Sequence, residues 1–158
     1  IKKDKWGMKP EETIDFHIRW AWFNISRMYN IEAAKYGGSM AIGYTLLNID
    51  TKEGTPSTKL APKMGMESRS LTRMIKSLEE KGVIYKKVDE NDRRMVRLFL
   101  TDLGQDMRNQ AISSVLKFNE KIQGEIPKED LEKTFEVLGK LNQIIDRNNI
   151  FNNNEIDK

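Results

Sequence analysis

There is no cysteine among the 158 residues, so neither a disulfide framework nor a thiol redox switch is available. The one histidine, His17, leaves a zinc site to be built almost wholly from carboxylates, which suits that metal poorly. No metal and no cofactor is therefore expected. No apolar run reaches the ~20 residues of a membrane helix, and no charged-apolar-small series opens the chain as in a secretory signal. The expectation is a cytoplasmic protein that makes no membrane contact. Phosphate-cradling glycine loops and nucleophile–base pairs are missing as well, which argues against an enzyme.

What is present begins with an uneven charge. The net charge is only +3, but residues 57–97 hold eleven Lys or Arg against six Asp or Glu, a balance of +5 that leaves −2 elsewhere. Phosphate neutralisation supplies much of the affinity of nucleic-acid binders, so a basic segment of this kind points to such a partner, with a solvated basic surface as the plain alternative. At 38% hydrophobic residues the chain has material for one modest core, and a single domain over 1–158 is expected.

Within the basic segment Leu71, Met74, Ile75 and Leu78 recur at helical spacing, giving one apolar helix face. Ser68, Arg69, Ser70, Thr72, Arg73 and Lys76 supply donors around the rest of that helix. A recognition helix needs this combination, a stripe clamped to a core and a row of groups for base edges and phosphates. Gly82 then reads as a left-handed C-cap. Two strand-like runs follow, 83–88 and 95–101, joined by the polar turn Asp89, Glu90, Asn91, Asp92, Arg93, Arg94. Helix-turn-helix followed by a basic hairpin is an arrangement suited to duplex DNA.

These residues resemble the winged helix-turn-helix of the MarR family of bacterial transcriptional regulators. The resemblance is carried by Leu60-Ala61, Met64-Gly65-Met66, the run Ser68 to Arg73, the run Leu78 to Ile84, Asp92-Arg93-Arg94 and Leu100-Thr101-Asp102-Leu103-Gly104, all in register. It implies a mainly α fold with a small β-wing: a DNA-binding lobe over 39–100, and long terminal helices over 9–36 and 101–148 that intertwine with those of a second copy. Two departures stand out. Pro62 lies inside the first helix of the motif, where it deletes a backbone hydrogen bond, and Glu67 occupies the usual Ser or Thr cap position, which makes Ser68 a candidate cap. By register with the family, Arg94 enters the minor groove, with Arg93 as the second candidate, and Asp92 orients an arginine through an ion pair. Arg97, Lys86 and Lys87 are assigned to phosphates or solvent, and Asp89, Glu90 and Asp92 to a solvated turn.

Outside the lobe, Pro10 suits the first turn of a helix running to about Tyr36, greasy on two sides. Within the lobe, Ser39 caps a helix through Ile49, 54–56 reads as a turn, and Ser57 caps the next helix. Thr101-Asp102 opens a helix to about Gln123, and Pro127 a last one carrying Leu131, Phe135, Leu138, Leu141 and Ile145. That is more apolar surface than a small winged helix buries, and a homodimer is the economical cover. The stretch from Asn148 holds five Asn in its first seven residues, and 149–158 are expected to be a disordered tail. The resemblance further implies an aromatic or lipophilic effector in a cavity lined by Phe16, Trp20, Phe23 and Tyr44, against the alternative that these rings are core. His17 is expected to be structural or exposed. The leading expectation is a ligand-responsive repressor binding double-stranded DNA at a pseudo-palindromic operator. The competing one is a winged-helix module for protein or RNA.

Overall fold

The computed structural model describes residues 7–147 and residue 150; the tail expected at 149–158 lies otherwise outside the described residues. Pro10 opens only a single 3-10 turn, Pro10–Glu12. Thr13 is extended, at φ −100° and ψ 142°, and the long helix α1 runs from there as Ile14–Ala34. The start expected at Pro10 is thus displaced by a turn whose Glu12 side chain folds back onto the Lys9 amide at 2.9 Å.

Ser39 does cap α2 (Met40–Leu47), its hydroxyl accepting the Ile42 amide at 3.2 Å. Ser57 does not cap α3 (Ser57–Met64): it is already helical, and Pro56 holds the cap position. The same shift applies to α4 (Ser68–Glu80), where Glu67 is the N-cap without a side-chain bond and Ser68 is the first helical residue. α3 survives Pro62 and ends at Gly65, whose φ of +60° lets the chain turn within three residues into α4. Gly82, at φ +68°, ends α4 as expected, and the Val83 amide reaches back to the Leu78 carbonyl at 2.9 Å, the six-to-one bond of a Schellman cap.

Strands β2 (Ile84–Val88) and β3 (Val96–Leu100) form the hairpin, with Ile84 opposite Leu100 and Val88 opposite Val96. A third short strand, β1 (Thr55–Pro56), pairs with the other side of β3, where a turn had been expected. Its cause is local: the buried Thr55 hydroxyl accepts the Asp50 amide at 2.9 Å and faces the Asn48 carbonyl, drawing the segment against β3. Proline is tolerated there because the strand lies at the sheet edge.

Two compact units make up the chain, one reaching Ser114 and one starting at Val115, with the boundary inside helix α5 (Asp102–Glu125). The first holds the core: Leu46, Ile49, Leu60, Leu71, Leu78, Ile84 and Leu98 are essentially inaccessible, with Met64, Ile75 and Val83 close behind. Each such side chain contributes about 1.5–3 kcal/mol of burial, and together they clamp α4 through the apolar stripe that its spacing announced. α1 buries no residue fully, and Trp20, Trp22, Phe23 and Ile31 stay about half exposed. In the second unit α6 (Lys128–Arg147) likewise has no buried residue, and Phe135, Leu138, Ile144 and Ile145 are exposed.

Candidate nucleic-acid interface

On α4 the buried stripe fixes which side faces outward. At about 100° per residue, Ser68, Arg69, Thr72, Arg73 and Lys76 fall on one continuous face, and all five are exposed. Ser70 is exposed too, but the same geometry puts it on the flank beside Met74, away from that row. Thr72 Oγ1 donates to the Ser68 carbonyl at 2.8 Å. Its proton is thereby spent within the helix, so toward a partner it offers lone pairs and a methyl group. Lys76 approaches Glu80 at 3.9 Å, a fully wet pair worth little. Arg69 and Arg73 are the row's two fork-shaped donors, the geometry that matches guanine edges and phosphates.

At the hairpin tip Arg93 and Arg94 are exposed. Asp92 acts on Arg94 through the main chain: its Oδ1 accepts the Arg94 amide at 2.9 Å, and its carbonyl accepts the Met95 amide at 2.9 Å. The ion pair expected of Asp92 belongs instead to Asp89, which meets Arg97 on the diagonal, two residues off the cross-strand register. Asp89 is no solvated turn residue: it is 4% exposed, with its carboxylate accepting Arg97 Nε and the amides of Asn91 and Asp92. The Arg97 bond first, then the two amides, hold that carboxyl below the usual aspartate range. Arg97 is thereby removed from the phosphate-binding set. Lys86 is paired with Glu79 at 2.6 Å, and Lys87 lies over the stacked Tyr85 and Phe99 rings at 5.5 and 5.4 Å.

The Leu-Thr-x-x-Gly run is a structural joint. Thr101 Oγ1 accepts the Gly104 amide at 3.1 Å, capping α5, and donates toward the Gly82 and Val83 carbonyls. The end of α4, the root of the hairpin and the start of α5 are tied at one hydroxyl.

Of the candidate effector residues, Phe16, Trp20 and Phe23 stack edge to face along α1 at 6.3 and 5.8 Å. Tyr44 on α2 is exposed and makes no ring contact with them. Among the described residues two buried side-chain atoms, Ser26 Oγ and Arg108 Nε, have no hydrogen-bond partner, and no pattern in the sequence signals either. His17 is exposed, and its Nε2–H donates to the Glu11 carbonyl at 2.7 Å. Among the described residues no cluster of His, Asp or Glu is placed to hold a metal, and no helix is long and apolar enough to cross a membrane.

Residues 43–96, from α2 to the start of β3, match the MarR family model. Over that segment, about a third of the chain, the sequence is similar to the MarR family. Solved structures similar to it extend the likeness of fold well beyond the matched MarR segment. The S. aureus MepR–DNA complex superposes with a TM-score of 0.76 at 18% identity, covering 83% of this chain and 97% of that one. CouR from Rhodococcus jostii bound to p-coumaroyl-CoA gives 0.73 at 20% identity, covering 85% and 94%. The repressor CouR on a 23-mer DNA duplex gives 0.72 at 20% identity, covering 83% and 93%. The likeness of fold to these structures thus takes in residues on both sides of the matched segment.

Proposed function

We propose that the chain is a sequence-specific DNA-binding transcriptional regulator, acting as a homodimer on a pseudo-palindromic operator and serving as a ligand-responsive repressor. One observation carries the reading: the Ser68-Arg69-Thr72-Arg73-Lys76 row stands on a helix whose opposite face is locked into the core. A rigid helix with two outward guanidinium groups and hydroxyls fits a major groove. The exposed Arg93 and Arg94 at the tip of a short hairpin suit the adjoining minor groove, where narrow A/T-rich stretches concentrate negative potential. The DNA-bound similar structures, MepR and CouR, support the same use of the fold.

The dimer is supported by unburied apolar surface. Trp20, Trp22 and Phe23 on α1 and Phe135, Ile144 and Ile145 on α6 are about half exposed or more, far more than a solitary soluble chain leaves open. A two-fold dimer also places two recognition helices about one DNA turn, or ~34 Å, apart. For the effector, the Phe16-Trp20-Phe23 stack offers rings, and the unpartnered Arg108 Nε offers a cationic donor to an acidic ligand. A ligand of this kind is bound by CouR.

Selection of bound fragments from the source genome with the purified full chain tests the reading. Recovered fragments sharing an inverted repeat with half-sites one turn apart are expected. A pool with no common sequence contradicts it.

A further inference from the structure

The wing carries a device that the DNA-binding reading leaves unused. Asp89, at the end of β2, and Arg97, on β3, form an ion pair in the wing, the carboxylate buried and the guanidinium partly exposed, with side chains 3% and 28% exposed. From this pair contacts run in two directions. Toward the tip, Asp89 Oδ1 accepts the Asn91 and Asp92 amides at 2.8 and 3.0 Å, and the Asp89 amide donates to Met95 at 2.9 Å. Asp92 then holds the Arg94 amide. Toward the body, Arg97 Nη1 donates to the Glu53 and Gly54 carbonyls at 3.1 and 3.3 Å. Those carbonyls belong to a loop organised by Asp50, whose Oδ1 accepts the Lys52 and Glu53 amides, each at 2.8 Å. Thr55 Oγ1 ties the loop to the end of α2 at Asn48.

We propose that the Asp89–Arg97 pair is a positioning element that sets the direction of Arg93 and Arg94 for the DNA groove and couples the wing tip to the C-terminal end of α2 through the 50–55 loop. The inference rests on the DNA-binding reading above. Its physical basis is that a two-stranded hairpin holds its tip poorly alone, whereas here two tip amides and one guanidinium converge on a single buried carboxylate. Arginine is required because one guanidinium must serve the carboxylate through Nε and two carbonyls through Nη1. A lysine ammonium keeps the charge but lacks that planar fork.

The test is a double-mutant cycle on duplexes with A/T-rich and G/C-rich flanks, using the full chain. Asp89→Asn or Arg97→Lys alone should weaken binding to the A/T-flanked duplex roughly two- to thirty-fold and erase the flank preference. In a background carrying Arg93→Ala and Arg94→Ala the same change should cost almost nothing, because both groups it positions are gone. Equal losses in both backgrounds, with the unaltered chain binding duplex normally, would overturn the proposal alone. Failure of the unaltered chain to bind any duplex would overturn the DNA-binding reading and this proposal with it. A second measurement needs no DNA: nuclear magnetic resonance order at the Asn91 and Asp92 amides should fall in Arg97→Lys while that of α4 is unchanged. Unchanged order at the tip would also overturn the proposal.

Discussion

Gly104 faces the Val83 carbonyl so closely that a Cβ on it would stand 2.0 Å from the oxygen. The contact exists because Thr101 caps α5 with its hydroxyl while its amide donates to Val83 at 3.1 Å, pulling the helix start onto the root of the wing. Gly104→Ala should therefore destabilise the fold by ~3 kcal/mol or more and loosen β2 from α5. Thermal unfolding checks this; a melting temperature within a degree of the unaltered chain would contradict the close packing.

Arg73 stands in the outward row of α4 and makes no ion pair among the described residues. If it reads a base edge, Arg73→Ala costs about 1–3 kcal/mol on the operator and much less on random duplex. Competition binding with both duplexes measures the ratio. Unchanged discrimination would put the recognition surface elsewhere.

Removal of Pro127 to Lys158 deletes the exposed Phe135, Leu138, Ile144 and Ile145. The truncated chain should sediment as a monomer. A mass that remains dimeric would assign association to α1 instead.

Acid should act through Asp89. Its carboxyl titrates below the ordinary aspartate value of 3.8, first because of Arg97 and then because of the Asn91 and Asp92 amides. A depressed folded value means that the stabilisation is complete above pH ~4 and disappears as pH falls through that lower value. Chemical unfolding between pH 6 and 2.5 should show the Asp89→Asn chain losing less stability than the unaltered one across the acid limb. Parallel curves would contradict the assignment.

The recognition helix was legible because one residue in every three or four had to be apolar to reach the core, and Leu71, Ile75 and Leu78 did so. Helix starts were less so: Ser57 and Ser68 have cap chemistry but lie one residue inside their helices, since Pro56 and Glu67 already adopt the extended cap conformation. β1 was missed because two residues show no alternation, and because the Thr55 hydroxyl that draws it to β3 bonds the backbone five and seven residues back, a loop closure with no repeating pattern. Asp89 and Arg97 were misassigned for a related reason. Charged residues in a polar turn read as solvated, and only the cross-strand register brings this carboxylate under this guanidinium.

Affinity of the unaltered chain and of Arg94→Ala for operator and scrambled duplex, followed across a salt series, tests the central claim most directly. The unaltered chain should prefer the operator by roughly a thousand-fold or more, with affinity falling steeply as salt rises. Arg94→Ala should weaken both duplexes and flatten the log-log slope by about one per lost charge, hence about two per dimer. Equal affinity for the two duplexes, with a shallow slope that Arg94→Ala does not change, would contradict it.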